Sequence, residues 1–377
     1  VTRRDNSTNQ WTMSAVAFVV FAAVLGTVVS RYVGRLADRL EGNYGYQPDP
    51  IGTAAFLEQL DKPRFSEAGA DCMAKSKPVD TFLWRYADEA SRAVYAKPFE
   101  VWNQGSAGTC VSFGWGMGSY ISQAVDWKTG KLPNPPRLVA TEPIYGGSRT
   151  AGRLPPVTFA GWSDGSYGAA AARWVSGLKN GQGGILYREM QGNGVDLSQY
   201  SITLSRQWGA YGVPLELGAK ANLHKAVAVA LVDTWDELVA AVGSGYCVPI
   251  CSDVGFAATS IRDKDGFLPR GGSWSHCMVI VATRFADGPG KRDGALIVNS
   301  WGKVWVSGPR WPSDQPEGSF WASRSDIESI LRQGDSFAIG GVGGFEYRDL
   351  EHKEWLHPAP PEATTKDSRR VIHAVAL

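Results

Sequence analysis

Hydrophobic and polar positions are unevenly spread along this chain. From Trp11 to Val29, WTMSAVAFVVFAAVLGTVV, nineteen residues pass without a charge, close to the roughly 20 that a helix needs to cross a bilayer. The run is longer than the ~7–15 apolar residues of a signal-peptide core, and no A-x-A cleavage site follows, so it predicts a retained transmembrane helix over residues 11–30 after a polar start, 1–10. Arg3 and Arg4 precede the span, and Arg31, Arg35 and Arg39 follow it. The larger basic count after the span favours a body on the cytoplasmic side of the membrane. Residues 31–95 carry helical patches, RYVGRLADRLEG and TFLWRYADEASRAVYA, around the turn-rich NYGYQPDPIG, which predicts a stalk or the lead-in to a domain. Between Lys97 and Tyr347, Gly-punctuated helical patterns give way to short apolar strands: GYCVPICSDV, HCMVIVATRF, GALIVNSWG and SFAIGGVGGFEY. Helices followed by strands predict an α+β domain of two lobes over residues 96–350. Prolines mark 351–377 as a tail.

Composition narrows the classes. A chain of 377 residues with 44% hydrophobic and 20% charged positions is folded rather than disordered. With 38 Lys and Arg against 37 Asp and Glu, the net charge of +1 gives no electrostatic reason to expect nucleic acid as a partner. Five scattered cysteines argue against a disulfide framework. Cys247 and Cys251 fall four apart in one strand, about 13 Å at roughly 3.3 Å per residue, too far to bridge. Neither CxxC nor HExxH occurs, so no zinc or other cofactor is expected.

One cysteine stands apart. Cys110 ends the turn NQGSAGTC and opens CVSFGWGMGSYISQAV, whose length and spacing predict a helix. A helix N-terminus favours the thiolate, the form that attacks carbonyls. Glycines at 114, 116 and 118, each costing about 1 kcal/mol in a helix, imply close packing against another backbone. Gln104, folded back over the turn, together with the backbone N–H of Cys110, would provide two donors for a tetrahedral oxyanion.

NQGSAGTCVSFGWG resembles the active-site segment of papain-like cysteine proteases, a motif of the form Q-G-x-x-G-x-C followed by a helix. SWSHCMVIVATRF is similar to the strand that begins with the family's histidine, matching His276. ALIVNSWGKVW resembles the N-S-W-G-x-x-W block, matching Asn299 as the residue that orients the histidine and Trp301 as the indole that shields their hydrogen bond. DGSYGAAAARWV followed by GGILYRE resembles the Gly-rich substrate wall, with Gly165 and Ser166 where the family usually carries two glycines. The resemblance covers about residues 97–347. It implies a papain-like α+β fold in two lobes, a catalytic set of Cys110, His276 and Asn299, an oxyanion hole of Gln104 and Cys110, and substrate contacts from Gly165, Ser166 and Trp301. A polypeptide substrate would be cleaved through a thioester, and the backbone of the wall would pair with it as an added strand.

Departures from the pattern matter as well. Ala107 stands where many members carry a disulfide cysteine, Val111 replaces a common tryptophan and Ser166 replaces a glycine. The helix pattern of the family's inhibitory pro-region is not visible in residues 31–95, so nothing in the sequence points to zymogen control, and that segment reads equally as a stalk, a lid or part of the core. The missing disulfides and the anchor suit a single-pass protein of a bacterial inner membrane or a bacteriophage. Two alternatives stay open: the same fold kept as a catalytically silent binding or structural module in a virion or envelope, and a cell-wall amidase built on a related Cys-His core.

Overall fold

The computed structural model describes residues 44–350 except 193, 287–291 and 342. The expected transmembrane segment and the tail lie outside the described residues; among those described, no helix is long and apolar enough to cross a membrane.

Five antiparallel strands form the main sheet: β1 (Thr81–Phe82), β2 (Val248–Phe256), β3 (Arg270–Arg284), β4 (Gly294–Val298) and β5 (Ser319–Ser323). The long strand β3 organises it by pairing with β1, β2 and β4. β2 and β4 are buried almost throughout, as their continuous apolar sequences require. In the β2–β3 register Ser252 faces His276 and Cys251 faces Cys277. Helices dominate from Cys110 to Asn222 and strands from Val248 to Gly340, which is the mixed helix-and-sheet order expected from the sequence.

The 19-residue helix Cys110–Lys128 links the two halves by packing on both β2 and β3. Its approach depends on Gly114, where a Cβ would meet the Met278 carbonyl oxygen at 3.0 Å and Cys277 Sγ at 3.2 Å. The close packing read from the helix glycines is thus present, and its partner is the strand that carries His276.

From Tyr44 onward, the stretch expected as a stalk or lead-in is built into the same body. Asp49 caps the helix Pro50–Leu57 by accepting from the Gly52 N–H at 2.9 Å, with Pro50 at the first helical position. That helix packs on Gly168–Val175. β1 extends the sheet, and the helix Trp84–Tyr95 packs on Cys110–Lys128, burying Trp84, Ala87 and Ala90.

Candidate active site

Cys110 is the first residue of its helix, and Thr109 before it makes no side-chain cap, so the first N–H groups remain directed at the thiol. The turn is tied to the sheet half by backbone. Gln104 N–H donates to the Ser300 carbonyl at 2.8 Å, Gly302 N–H donates to Trp102, and Asn103 bridges Trp301. Residues 102–104 are thereby zipped to 300–302, which brings a cysteine and an asparagine 189 positions apart in sequence to one place.

His276 lies on β3, and Nε2 is 2.7 Å from Asn299 Oδ1. The same Oδ1 accepts the Ser300 N–H at 2.6 Å, so it acts as an acceptor and Nε2 carries the imidazole proton. Nδ1 is then the basic nitrogen, and it is buried with no hydrogen-bond partner among the described residues. Cys110 is fully buried, and the backbone N–H of Cys277, the residue next to His276, favours its thiolate form. Trp301 stacks on the imidazole, with centroids 4.9 Å apart and planes at 24°.

Gln104 is buried, and its carboxamide is fully engaged. Oε1 accepts from Ser300 Oγ at 2.5 Å, while Nε2 donates to the Ala107 carbonyl at 2.8 Å and to the Tyr44 carbonyl at 3.2 Å. The Tyr44 carbonyl thus takes one of the two carboxamide hydrogens that the resemblance assigns to a substrate oxyanion. Gly165 and Ser166 form a wall opposite. Gly165 has φ +111° and donates to Tyr145 Oη at 3.1 Å. Sequence reasoning missed the residue that holds this wall. The buried Arg149 guanidinium donates to the carbonyls of Gly161 and Gly209 at 2.9 Å, to Ala160 at 3.2 Å and to Gly165.

The groove between wall and histidine contains the protein's own chain. Tyr44 and Tyr46 N–H donate to the Ser275 carbonyl at 3.0 and 3.2 Å, Ser166 N–H donates to Gly45 at 2.7 Å, and Gln47 N–H donates to Ser166 at 2.8 Å. Tyr46 and Ser166 form a parallel bridge. The Tyr44 ring lies 5.1 Å from the imidazole and 4.5 Å from the Trp301 indole. Gly45 is required there: its φ is +117°, and a Cβ would lie 2.1 Å from the Gly108 carbonyl oxygen. The only sign of this segment in the sequence is the turn-rich NYGYQ, which reads equally well as a linker.

Enclosure sets the ionisation of the pair. Burial pushes the Cys110 thiol well above its ordinary range; the neighbouring Cys277 thiol adds to this, and N–H groups from Cys277, Val111 and Cys110 act in the opposite sense. Burial also lowers His276 to about 4, against the bond to Asn299, which raises it. In this covered arrangement both groups are neutral, whereas a helix N-terminus alone leads one to expect a lowered thiol. Desolvation outweighs the helix N-terminus because no water reaches either group.

No family model matches the chain, and no curated protein does. Among solved structures it is similar to xylellain, a cysteine protease from Xylella fastidiosa, with 17% identity and a TM-score of 0.47 over 80% of this chain and 97% of that one. It is also similar to digestive procathepsin L 3 of Tenebrio molitor larval midgut, with 15% identity and a TM-score of 0.43 over 90% and 100%. The proform of the Amb a 11 cysteine protease, a ragweed pollen allergen, gives 18% identity and a TM-score of 0.45 over 80% and 77%.

Proposed function

We propose that the protein is a papain-like cysteine endopeptidase held latent by residues 44–47, with a catalytic domain that takes in β1 and the helix Trp84–Tyr95 as well as the expected residues 96–350, and with residues 11–30 as a membrane tether. The observation that carries this reading is the Asn299–His276 bond, which leaves Nδ1 as an unpartnered buried base, among the described residues, on the strand against which the Cys110 helix packs.

In the reaction, Nδ1 takes the thiol proton as Cys110 sulfur bonds to a peptide carbonyl carbon. The oxyanion receives the Cys110 N–H and the Gln104 Nε2 hydrogen that Tyr44 now occupies. His276 then returns the proton to the leaving amine as the C–N bond breaks, and water hydrolyses the thioester by the same route in reverse.

Latency follows from where the segment lies: its carbonyl takes a donor, its backbone takes the wall and its ring covers the histidine. The test uses the full-length chain and the Gly45→Ala variant, with peptide hydrolysis and mapped labelling of Cys110 by a small thiol reagent. Slow labelling in the parent and fast, His276-dependent labelling with hydrolysis in the variant are expected. Labelling of Cys110 that is unaffected by His276→Ala overturns the peptidase assignment. Removal of residues 11–30 should release the protein from membrane fractions; continued sedimentation with membranes rejects the tether.

A further inference from the structure

Away from the cleft, the helix Cys110–Lys128 turns a polar face toward a second cavity. Ser119, Ser122, Gln123 and Asp126 stand at i, i+3, i+4 and i+7, so they share one side of the helix, and all four line a pocket of about 180 Å³. Ser119 lies about 14 Å along the axis from Cys110 at 1.5 Å per residue, and no residue of the groove lines this pocket. The two sites are separate.

Val175, Ile185 and Ile339 are buried and supply apolar walls. Tyr187 and His224 close another side with their rings edge to face, centroids 5.1 Å apart at 62°. Leu223 and Val227, also lining residues, are 79% and 60% exposed, so the mouth is apolar too.

Three of the four helix residues are already engaged. Ser122 Oγ accepts from the Cys247 N–H at 3.3 Å, Gln123 Oε1 accepts from Tyr187 Oη at 3.1 Å, and Asp126 Oδ1 accepts from the Arg348 guanidinium at 2.5 Å. Ser119 is different: it is 3% exposed, and its Oγ has no hydrogen-bond partner among the described residues. A buried hydroxyl without a partner is destabilising, so a ligand that brings one polar group to it gains from a single bond. Charge in the interior is balanced. Arg348 pairs with Asp126, both buried, and burial holds His224 below the ordinary histidine range, while Lys225 is exposed at the rim. Size sets the rest, because an apolar cavity of about 150 Å³ holds one benzene ring. The space here admits one ring with a small substituent.

We propose that this pocket is a binding site for a small neutral aromatic alcohol of the phenol class, with its ring between Tyr187 and the apolar walls and its hydroxyl on Ser119 Oγ. The site is independent of the peptidase reading.

The experiment titrates phenol, benzene and benzoate into the full-length chain and follows binding by calorimetry and by the rise in Tm that a ligand of the folded state produces. Phenol should bind at least about tenfold more tightly than benzoate, whose charge is not compensated in the neutral interior. The phenol-to-benzene affinity ratio should fall by about 3–10-fold in Ser119→Ala, the scale of one hydrogen bond. Alanine removes a buried hydroxyl that has no partner, so the fold should be retained. Ser119→Leu, whose side chain occupies the cavity, should abolish binding of both rings; if leucine prevents folding, the alanine variant decides alone. Absence of phenol binding, a ratio that Ser119→Ala leaves unchanged, parental affinity in folded Ser119→Leu, or benzoate bound as tightly as phenol each overturns the proposal.

Discussion

Two regions of the cleft are held by different kinds of contact. Around His276 the contacts are specific to side chains: imidazole to Asn299, Gln104 to Ser300, and indole on imidazole. The segment Tyr44–Gln47 is held mainly by N–H and carbonyl groups, with a single enclosed side chain. Side-chain chemistry leaves a trace in sequence because few residue types can replace His, Asn or Gln in those roles. Backbone pairing leaves almost none, since nearly any residue can donate and accept in the same way. The proposed chemistry and its proposed restraint share one groove, and only the first is spelled out.

The largest effect expected on that contrast comes from Cys110→Ser, which should lower peptide hydrolysis by about 10⁴-fold or more with the thermal transition retained. Hydrolysis at the parental rate would remove Cys110 from the reaction. Gln104→Ala should reduce kcat by about 10²–10³-fold, the scale for one oxyanion donor. Because Gln104 also joins Ala107 to Ser300, Gln104→Glu should serve as a companion: it keeps the Ser300 contact, removes the donor and should be similarly slow. Full activity in either variant would confine Gln104 to the turn.

Gly45→Ala acts on the other region. A Cβ within 2.1 Å of the Gly108 carbonyl oxygen cannot be accommodated at φ +117°, so the segment should leave the groove and Cys110 labelling should accelerate by about tenfold or more. An unchanged labelling rate would show that residues 44–47 do not limit access.

The smallest effect concerns stability and pH. Burial raises Asp335 from 3.8 to about 7, against hydrogen bonds from Tyr46, Ala169 and Gly168 that lower it. The folded protein therefore binds a proton between pH 4 and 7 that the unfolded chain does not, and this contribution is present at low pH and fades as pH rises towards 7. Asp335→Asn lacks it. The Tm of the parent relative to Asp335→Asn should accordingly fall by about 2–4 °C between pH 5 and pH 8. A constant difference across that range would mean that Asp335 is not held in this way.

Much of the site was legible because its parts are local. Cys110 follows a glycine turn and begins a run of helical spacing, His276 stands where an apolar strand pattern begins, and Asn299 directly follows a strand; each is visible within about ten residues. Arg149 and Asp335 were not, because a buried arginine that binds four carbonyls and a carboxylate under a distant pocket look like ordinary charged residues until the chain is folded. The polarity of residues 44–95 leaves stalk, lid and core open, whereas burial of Phe65, Phe82 and Trp84 joins that stretch to the core.

The sequence by itself determined which residue types stand where the proposed chemistry needs them and the order of helices and strands that carries them, since periodicity and residue type are properties of short stretches. Tertiary structure alone decided that Tyr44–Gln47 lies in the groove, that Tyr46 and Asp335 are buried, and that the cysteine and histidine rest neutral. Those outcomes depend on desolvation and on contacts between positions hundreds of residues apart, which no local pattern encodes.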